Sequence, residues 1–171
     1  MHGLLTSMIH EAPASAADVL ALEQAARLQG TGLAKADLPG FWQLHQTWSR
    51  RGSESPALNI RLLRGLQACL ILESRNGELS IANQVSLGPV RLRFDGTAEL
   101  RGRRPLLAFS FTSMRLQVGS LTVLTQSLPA PTPQRQPFFA LIAMGADRNW
   151  LCARGRGGGL ALWIKATDAN R

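Results

Sequence analysis

The stretch Phe138–Lys165, FFALIAMGADRNWLCARGRGGGLALWIK, decides the fold of this chain. It holds three short apolar runs, Phe138–Met144, Trp150–Ala153 and Leu160–Ile164, which are separated by turn-forming segments rich in glycine. Short apolar runs bounded by turn formers predict strands, because they are too short for typical helices. We therefore predict a three-stranded antiparallel meander. The first run is apolar at consecutive positions, so both of its faces must be covered, as they are in a barrel or a sandwich.

The sequence before this meander alternates between apolar and polar residues, which is typical of half-buried antiparallel strands. Asn76-Gly77 lies between two such segments and predicts a tight hairpin. Val90–Leu100 alternates most cleanly, and Trp42, Leu44 and Trp48 share one parity in their segment. After Phe111 the apolar parity slips by one residue, so we predict a bulge near Thr112-Ser113.

A helix is predicted before the strands. Ser15-Ala-Ala-Asp18 has the form of a capping box, apolar residues follow at helical spacing, and Gly30 ends the pattern. We expect an amphipathic helix from Ser15 to Gln29 that lies against the sheet as a lid or plug. Residues 1–14 are expected to be flexible. Ser55-Pro56 also favours a short helix that continues to about Arg64.

Together these patterns predict a mainly β protein with a single domain over residues 15–171. Its centre is an antiparallel β-barrel of about eight or nine strands over residues 40–166, interrupted by an extended loop at Pro129–Pro137. A barrel of this size has an interior just large enough for one small ligand. Alternation within the strands assigns a set of residues to that interior as ligand-binding candidates: Trp42, Leu44, Ile81, Asn83, Phe94, Phe109 and Phe111.

Asn83 is the one polar member of this set, because it shares the parity of Ile81 and Val85. We expect its amide to be buried. A buried amide needs hydrogen-bond partners, which neighbouring backbone, water or a ligand can supply.

Composition limits the class of protein. A chain of 171 residues with 45% hydrophobic residues is typical of a globular domain. Two cysteines, Cys69 and Cys152, are too few for a disulfide scaffold, and we expect free thiols in a reducing compartment. The N-terminal segment lacks the features of a signal peptide, and no apolar run approaches the roughly 20 residues of a transmembrane helix. We therefore expect a cytoplasmic or peripheral membrane protein.

The positive charge is concentrated in one part of the sequence. The net charge is +8, and residues 101–171 contain ten Lys and Arg against two acidic residues. This asymmetry suggests contact with an anionic partner, either a membrane surface or nucleic acid. The candidates for an anion-binding surface are Arg101, Arg103, Arg104, Arg154 and Arg156. The alternative is that they are ordinary solvated charges in an arginine-rich protein.

The sequence gives little sign of catalysis. His45 is the only histidine outside the N-terminal segment, and neither a Cys/His cluster nor a paired-carboxylate motif occurs. Gly155–Gly159 lacks the Gly-Lys-Ser/Thr of a phosphate-binding loop, so we interpret it as a hairpin turn. We predict a protein that is not an enzyme and has no metal and no cofactor.

Three motifs resemble those of the plastid-lipid-associated proteins, or fibrillins. Leu38-Pro-Gly-Phe-Trp42-Gln-Leu-His is similar to their Gly-x-Trp-x-Leu segment, and Ile81-Ala-Asn83-Gln-Val85 is similar to their Ile/Val-x-Asn-x-Val strand. The stretch Trp150–Leu162, with Arg154-Gly155, resembles their closing Arg-Gly-x-x-Gly motif. The similarity extends from Leu38 to Lys165. Leu151 departs from it, because that family has arginine there.

The resemblance implies a lipocalin-like barrel that binds a lipid, quinone or carotenoid, and a location at or near photosynthetic membranes. No segment resembles a plastid transit peptide, which favours a cyanobacterial member at the thylakoid surface with peripheral contact to anionic lipids. One alternative is a lipocalin-like tetrapyrrole-binding protein or bilin lyase, in which Arg91, Arg93 and Arg154 hold propionates. A basic RNA-binding module is less well supported, because it lacks an exposed aromatic platform for stacking bases.

Overall fold

The computed structural model describes residues 11–50, 67–103 and 105–166. The predicted helix at Ser55, residue Arg104 and residues 1–10 lie outside the described residues. Helix α1 precedes nine strands, and short 3₁₀ turns lie at Lys35–Asp37 and Pro133–Arg135. The bounds are α1 Ala16–Gln29, β1 Gly40–Trp48, β2 Cys69–Arg75, β3 Glu78–Leu87, β4 Val90–Arg101, β5 Leu106–Val118, β6 Leu121–Ser127, β7 Phe138–Met144, β8 Trp150–Gly155 and β9 Leu160–Lys165.

The nine strands form one antiparallel sheet, so the prediction of a mainly β fold is confirmed. The sheet order is β4-β3-β2-β1-β9-β8-β7-β5-β6, and β4 also pairs with β5. This last pairing closes eight of the strands into a ring and leaves β6 outside it. Ring closure removes most free edges from the sheet.

Local sequence signals set the connections as predicted. Strands β7, β8 and β9 form the antiparallel meander. Asn76 and Gly77 both have positive φ, 51° and 80°, which is the geometry of the two-residue turn that joins β2 to β3.

The ring has a buried core inside and a second core outside. The interior cluster takes side chains from every strand of the ring, for example Trp42, Leu107 and Trp163. The outer cluster lies on the other face of β1 and β7–β9, where Val19 and Leu22 of α1 cover it. The meander is therefore covered on both faces, as its apolar sequence requires. The helix packs on the outside of the ring, so the prediction that it acts as a lid or plug is wrong.

The helix begins where the capping box predicts. The Ser15 hydroxyl accepts a hydrogen bond from the Asp18 backbone N–H at 3.2 Å, and the Asp18 carboxylate accepts one from the Ser15 backbone N–H at 2.9 Å. Gly30 ends the helix with φ of 79°. These caps satisfy backbone groups that an open helix end leaves unpaired.

The predicted bulge lies in β5. Phe111 pairs with Gly96 and Ser113 pairs with Asp95, so Thr112 is the extra residue. Beyond this point β5 pairs with β6 and not with β7, and β3 extends past β2. We call this extension, residues 85–94 and 113–127, the open arm.

A second bulge corrects the parity of β1. The pairing of β1 with β9 shifts between Leu44 and Gln46, which turns Trp48 to the outer cluster. Trp42 and Leu44 remain on the inner face. The prediction that all three residues share one face is therefore wrong, because one extra residue reverses the alternation.

Candidate ligand-binding face and basic cavity

The ring interior brings together most of the predicted ligand-binding residues. Trp42, Ile81 and Phe109 are buried in its core, and Leu44 and Phe111 are partly buried against it. The Trp42 indole N–H donates a hydrogen bond to the Leu38 carbonyl at 2.9 Å. These side chains pack against one another across the ring, so the part of the interior that they occupy is a packed core.

A chain of aromatic contacts runs from this core towards the open arm. Ring centroids are 5.3 Å apart for Trp163–Phe139, 5.1 Å for Phe139–Phe109, 5.3 Å for Phe109–Phe111 and 5.5 Å for Phe111–Phe94. Phe94 is only half-buried. Phe139 and Trp163 were not among the predicted residues, although they occupy the inward positions of the meander strands.

Asn83 does not lie in the core. It is exposed, although it pairs with Leu70 on one side and Phe94 on the other. The expectation of a buried amide is therefore wrong. The reason is that β2 begins at Cys69, opposite Gln84, so Asn83 stands at the limit of the ring.

The inner face of the open arm is apolar in its two outer rows and open to solvent, whereas in the third row Gln126 pairs with Met114. Each cross-strand row on this face takes one residue from each of the four strands. The tip row is Leu87, Val90, Val118 and Leu121, and the next row is Val85, Leu92, Leu116 and Leu124. Every member of the tip row is at least 40% exposed, and Leu121 reaches 68%. Monomeric soluble proteins rarely leave such contiguous apolar surface uncovered.

The opposite face of the arm is polar and basic. It carries Arg91, Arg93 and Arg115, and Arg93 pairs with Asp95 at 2.7 Å. Residues 85–94 and 113–127 contain no Asp or Glu. The arm is therefore an amphipathic sheet with one apolar and one cationic face.

Four of the five predicted anion-binding arginines lie at the end of β4 and β5 that is far from the open arm. They are Arg101, Arg103, Arg154 and Arg156. Gln136 links two of them, because Arg101 donates to its side-chain oxygen at 3.4 Å and Arg156 to its carbonyl at 3.1 Å. Arg103 approaches the end of α1, where an added Cβ on Gly30 would lie 3.3 Å from the Arg103 carbonyl. Arg104 lies outside the described residues.

Arg154 is held by a buried carboxylate that the sequence did not reveal. Its Nε and Nη2 donate to the two Glu23 oxygens at 2.8 and 2.6 Å, and Nη1 donates to the Gly158 carbonyl. Arg27 binds the same carboxylate at 3.1 Å. The two guanidinium groups, Arg154 first, lower the pKa of Glu23 to about 2. No sequence pattern connects Glu23 with Arg154, because they meet only through the tertiary fold.

An open cavity of about 710 Å³ lies beside this ion pair. Its charged walls are Arg27, Arg50, Arg154 and Arg156, and its apolar wall is formed by Leu106, Phe138 and Ala140. The turn Gly155–Gly158 completes it. Arg27 and Arg154 also line a neighbouring cavity of about 470 Å³ along α1. Arg27 and Arg50 were missed by the sequence analysis because they lie far from the C-terminal cluster in sequence.

Other kinds of site are not formed by the described residues. No group of three or more His, Cys, Asp or Glu side chains within them is arranged to hold a metal ion. His45 lies exposed on β1. Among the helices of the described part of the chain, none has the length and apolar character needed to cross a membrane.

Comparison with known proteins adds no assignment. No protein-family model matches this chain, and no curated protein matches it.

Proposed function

We propose that this protein is a non-enzymatic carrier of a hydrophobic small molecule of the lipid, quinone or carotenoid class. The observation that carries this proposal is the aromatic chain that starts in the buried core and ends at half-buried Phe94, where the apolar face of the open arm continues it. Apolar surface that stays open in a folded protein often marks a ligand-binding groove.

The ligand would lie on the half-buried part of the arm, over Leu92, Phe94, Met114 and Leu116. The packed ring beneath would act as a rigid floor, which limits the entropy lost on binding. Burial of about 300 Å² of ligand surface at roughly 25 cal/mol per Å² would contribute about 7 kcal/mol before association costs. Association costs reduce this gain, so an affinity weaker than micromolar is expected from this area alone.

The architecture and family of the protein belong to the same proposal. The ring-like closure of the antiparallel sheet and the three fibrillin-like motifs support a lipocalin-like barrel of the fibrillin type. Trp42 of the first motif is in the core, and Arg154 of the last motif ties the helix to the sheet. By this resemblance we propose a cyanobacterial protein that works at the thylakoid membrane.

We further propose that the tip of the open arm contacts an anionic lipid surface. The exposed tip row would enter the interface, and Arg91 and Arg115 would face lipid head groups. Each arginine near such a surface adds up to about 1 kcal/mol of attraction. This contact would bring the apolar face of the open arm to the membrane from which a ligand is taken.

The alternatives have less support. A tetrapyrrole site needs arginines that are available to propionates, but Arg154 is engaged by Glu23 and Arg93 by Asp95. An RNA-binding surface needs exposed aromatic rings, and the large apolar residues exposed in the described chain are all aliphatic.

Titration of a quinone or carotenoid analogue, followed by tryptophan fluorescence, tests the proposal. Leu124→Gln places a glutamine side chain on the apolar face of the arm. Thr125→Gln places the same side chain at the next residue, on the opposite face. Both positions are exposed, so neither change should unfold the protein. We expect Leu124→Gln to weaken binding about tenfold and Thr125→Gln to leave it unchanged. Equal affinity in both variants would reject the apolar face of the arm as the binding site.

A further inference from the structure

We infer that the basic cavity beside α1 is a binding site for a phosphate group carried by a small ester or a lipid. This site is separate from the apolar face of the open arm. Leu106, at the start of β5, lines the cavity, whereas Val118, at the end of the same strand, belongs to the arm tip. The two regions are roughly 40 Å apart along an extended strand.

The charge of the cavity is strongly positive. Four guanidinium groups line it, and none of the lining residues that the structure describes is acidic. Glu23 contacts Arg154 and Arg27 from beneath, and its side chain is only 4% exposed. One carboxylate against four guanidinium groups leaves an excess of three positive charges. A monovalent anion compensates only part of this excess, whereas a phosphate monoester carries nearly two negative charges at pH 7.

The cavity contains unused hydrogen-bond donors. Arg50 makes neither a hydrogen bond nor an ion pair within the part of the chain that the structure describes. Its stem lies against the glycine turn, since an added Cβ on Gly158 would stand 2.9 Å from the Arg50 Cγ and Cδ atoms. Arg27 is 55% exposed and contacts Glu23 through one terminal nitrogen. These two arginines therefore offer N–H groups from two different sides.

Arg156 adds charge and has a fixed position. It donates to the backbone carbonyls of Gln134 and Gln136, which hold its guanidinium in place without neutralising it. Arg154 is also fixed in position, but its partners are the Gly158 carbonyl and the Glu23 carboxylate, and the carboxylate neutralises its charge. Positioned guanidinium groups are suited to phosphate, because their planar forks match its oxygens in bidentate geometry.

The remaining wall explains why an ester fits better than free phosphate. Leu106, Phe138 and Ala140 add an apolar part to the lining beside the arginines, and the cavity volume of about 710 Å³ is much larger than one phosphate ion. Sites for small molecules commonly combine an apolar wall with a few charged groups. The carbon skeleton of a phosphate ester would rest on this wall.

Calorimetric titration with glycerol 3-phosphate and co-sedimentation with vesicles of phosphatidylcholine containing phosphatidic acid test the inference. Arg50→Gln removes one cavity charge that makes no hydrogen bond or ion pair with the described residues. Arg115→Gln removes one exposed charge from the polar face of β5 and is the matched control. We expect Arg50→Gln to weaken binding of the phosphate probe about tenfold and Arg115→Gln to leave the glycerol 3-phosphate titration unchanged.

The two probes separate the sources of the phosphate group. If the parent protein binds glycerol 3-phosphate and Arg50→Gln weakens this binding, the natural ligand is a soluble ester. If instead Arg50→Gln weakens binding to the vesicles, the ligand is a lipid head group. Equal loss of glycerol 3-phosphate binding in both variants would show that net charge alone attracts phosphate and would reject the cavity. Absence of binding to both probes up to about 10 mM would reject it too. Because neither readout uses an apolar ligand, failure of the carrier proposal leaves this result unaffected.

Discussion

Glu23 and Arg154 lie 131 residues apart in sequence and form a bidentate ion pair that joins α1 to β8. The Glu23 side chain is 4% exposed and that of Arg154 is 17% exposed. A carboxylate at this depth is tolerated only because it is paired and hydrogen-bonded. The pair therefore fixes the helix over the outer core, with Arg27 as its third member.

Glu23→Gln should strongly destabilise the fold. It leaves Arg154 and Arg27 without a counter-charge, and breaking a buried pair in this way costs about 3 kcal/mol or more. Chemical denaturation at neutral pH measures the free energy of unfolding. Glu99→Gln is the control, because Glu99 forms an exposed pair with Arg101, and its loss should change stability little.

The same carboxylate predicts a specific loss of stability in acid. The Glu23 pKa is lowered from 4.5 to about 2 by the Arg154 and Arg27 guanidinium groups. The ionised carboxylate contributes about 3 kcal/mol to the free energy of unfolding. This contribution is complete above pH 4.5 and is lost as the pH falls towards 2. Unfolding free energies measured across this interval should fall less steeply in Glu23→Gln than in the parent. Parallel curves would contradict this assignment.

Gly96→Ala should distort the junction between the ring and the open arm. An added Cβ would lie 2.0 Å from the Ser110 carbonyl oxygen and 2.8 Å from the Phe111 Cα, so backbone must move. We expect a loss of about 2 kcal/mol or more in unfolding free energy. Gly157→Ala is the control, because an added Cβ there meets nothing within 4 Å. Equal stability of the two variants would show that the strands do not approach closely at Gly96.

Both thiols should be unreactive in the folded protein. Burial raises the pKa of Cys152 to about 12 and also raises the pKa of Cys69, and the thiolate is the reactive form. A disulfide reagent at pH 8 should modify neither cysteine in the native state and both after denaturation. Rapid modification of one thiol under native conditions would mean that the sheet opens near it.

Binding to anionic vesicles should depend on the arm tip. Leu121→Asn removes the most exposed member of the tip row and should weaken vesicle binding about tenfold, because burial of one leucine contributes roughly 2 kcal/mol. Leu28→Asn changes a leucine on α1 that is even more exposed, at 77%, and should have little effect. Binding should also fall as salt rises, since charges are screened over about 8 Å at physiological ionic strength. Salt-independent binding, or equal loss in both variants, would argue against contact through the arm.

The purified protein should not hydrolyse esters, phosphates or glycosides, because we propose a carrier. His45 is exposed on β1, and no metal-binding cluster is formed by the residues described here. Turnover that survives repurification and disappears in His45→Ala would overturn the non-enzymatic proposal.

The sequence predicted those parts of the fold that depend on local signals. Asn76-Gly77, the Ser15 capping box, the meander runs and the slip near Thr112 each act within a few residues, and each is confirmed. The face of Trp48 was predicted wrongly, because the bulge in β1 comes from its pairing with β9 and leaves no mark in the local alternation.

The candidate sites were predictable to different extents. Alternation assigned Trp42, Ile81 and Phe109 to one interior, where they lie. It also placed Asn83 there, because alternation cannot tell where a neighbouring strand stops. The cavity was not predictable, because Arg27, Arg50 and Arg156 come from distant segments that meet only in the folded chain.

The extra residue at Thr112 has a consequence for how this molecule can vary. Phe111 and Met114 face the same side only because the bulge absorbs one residue between them. Removal of Thr112 would restore regular alternation, so the apolar side of the arm would stay apolar while the bend and twist that a bulge introduces would disappear. The direction of the arm can therefore change while the apolar and polar composition of its two faces stays the same. A single-codon deletion can re-aim the arm without changing what it is able to touch.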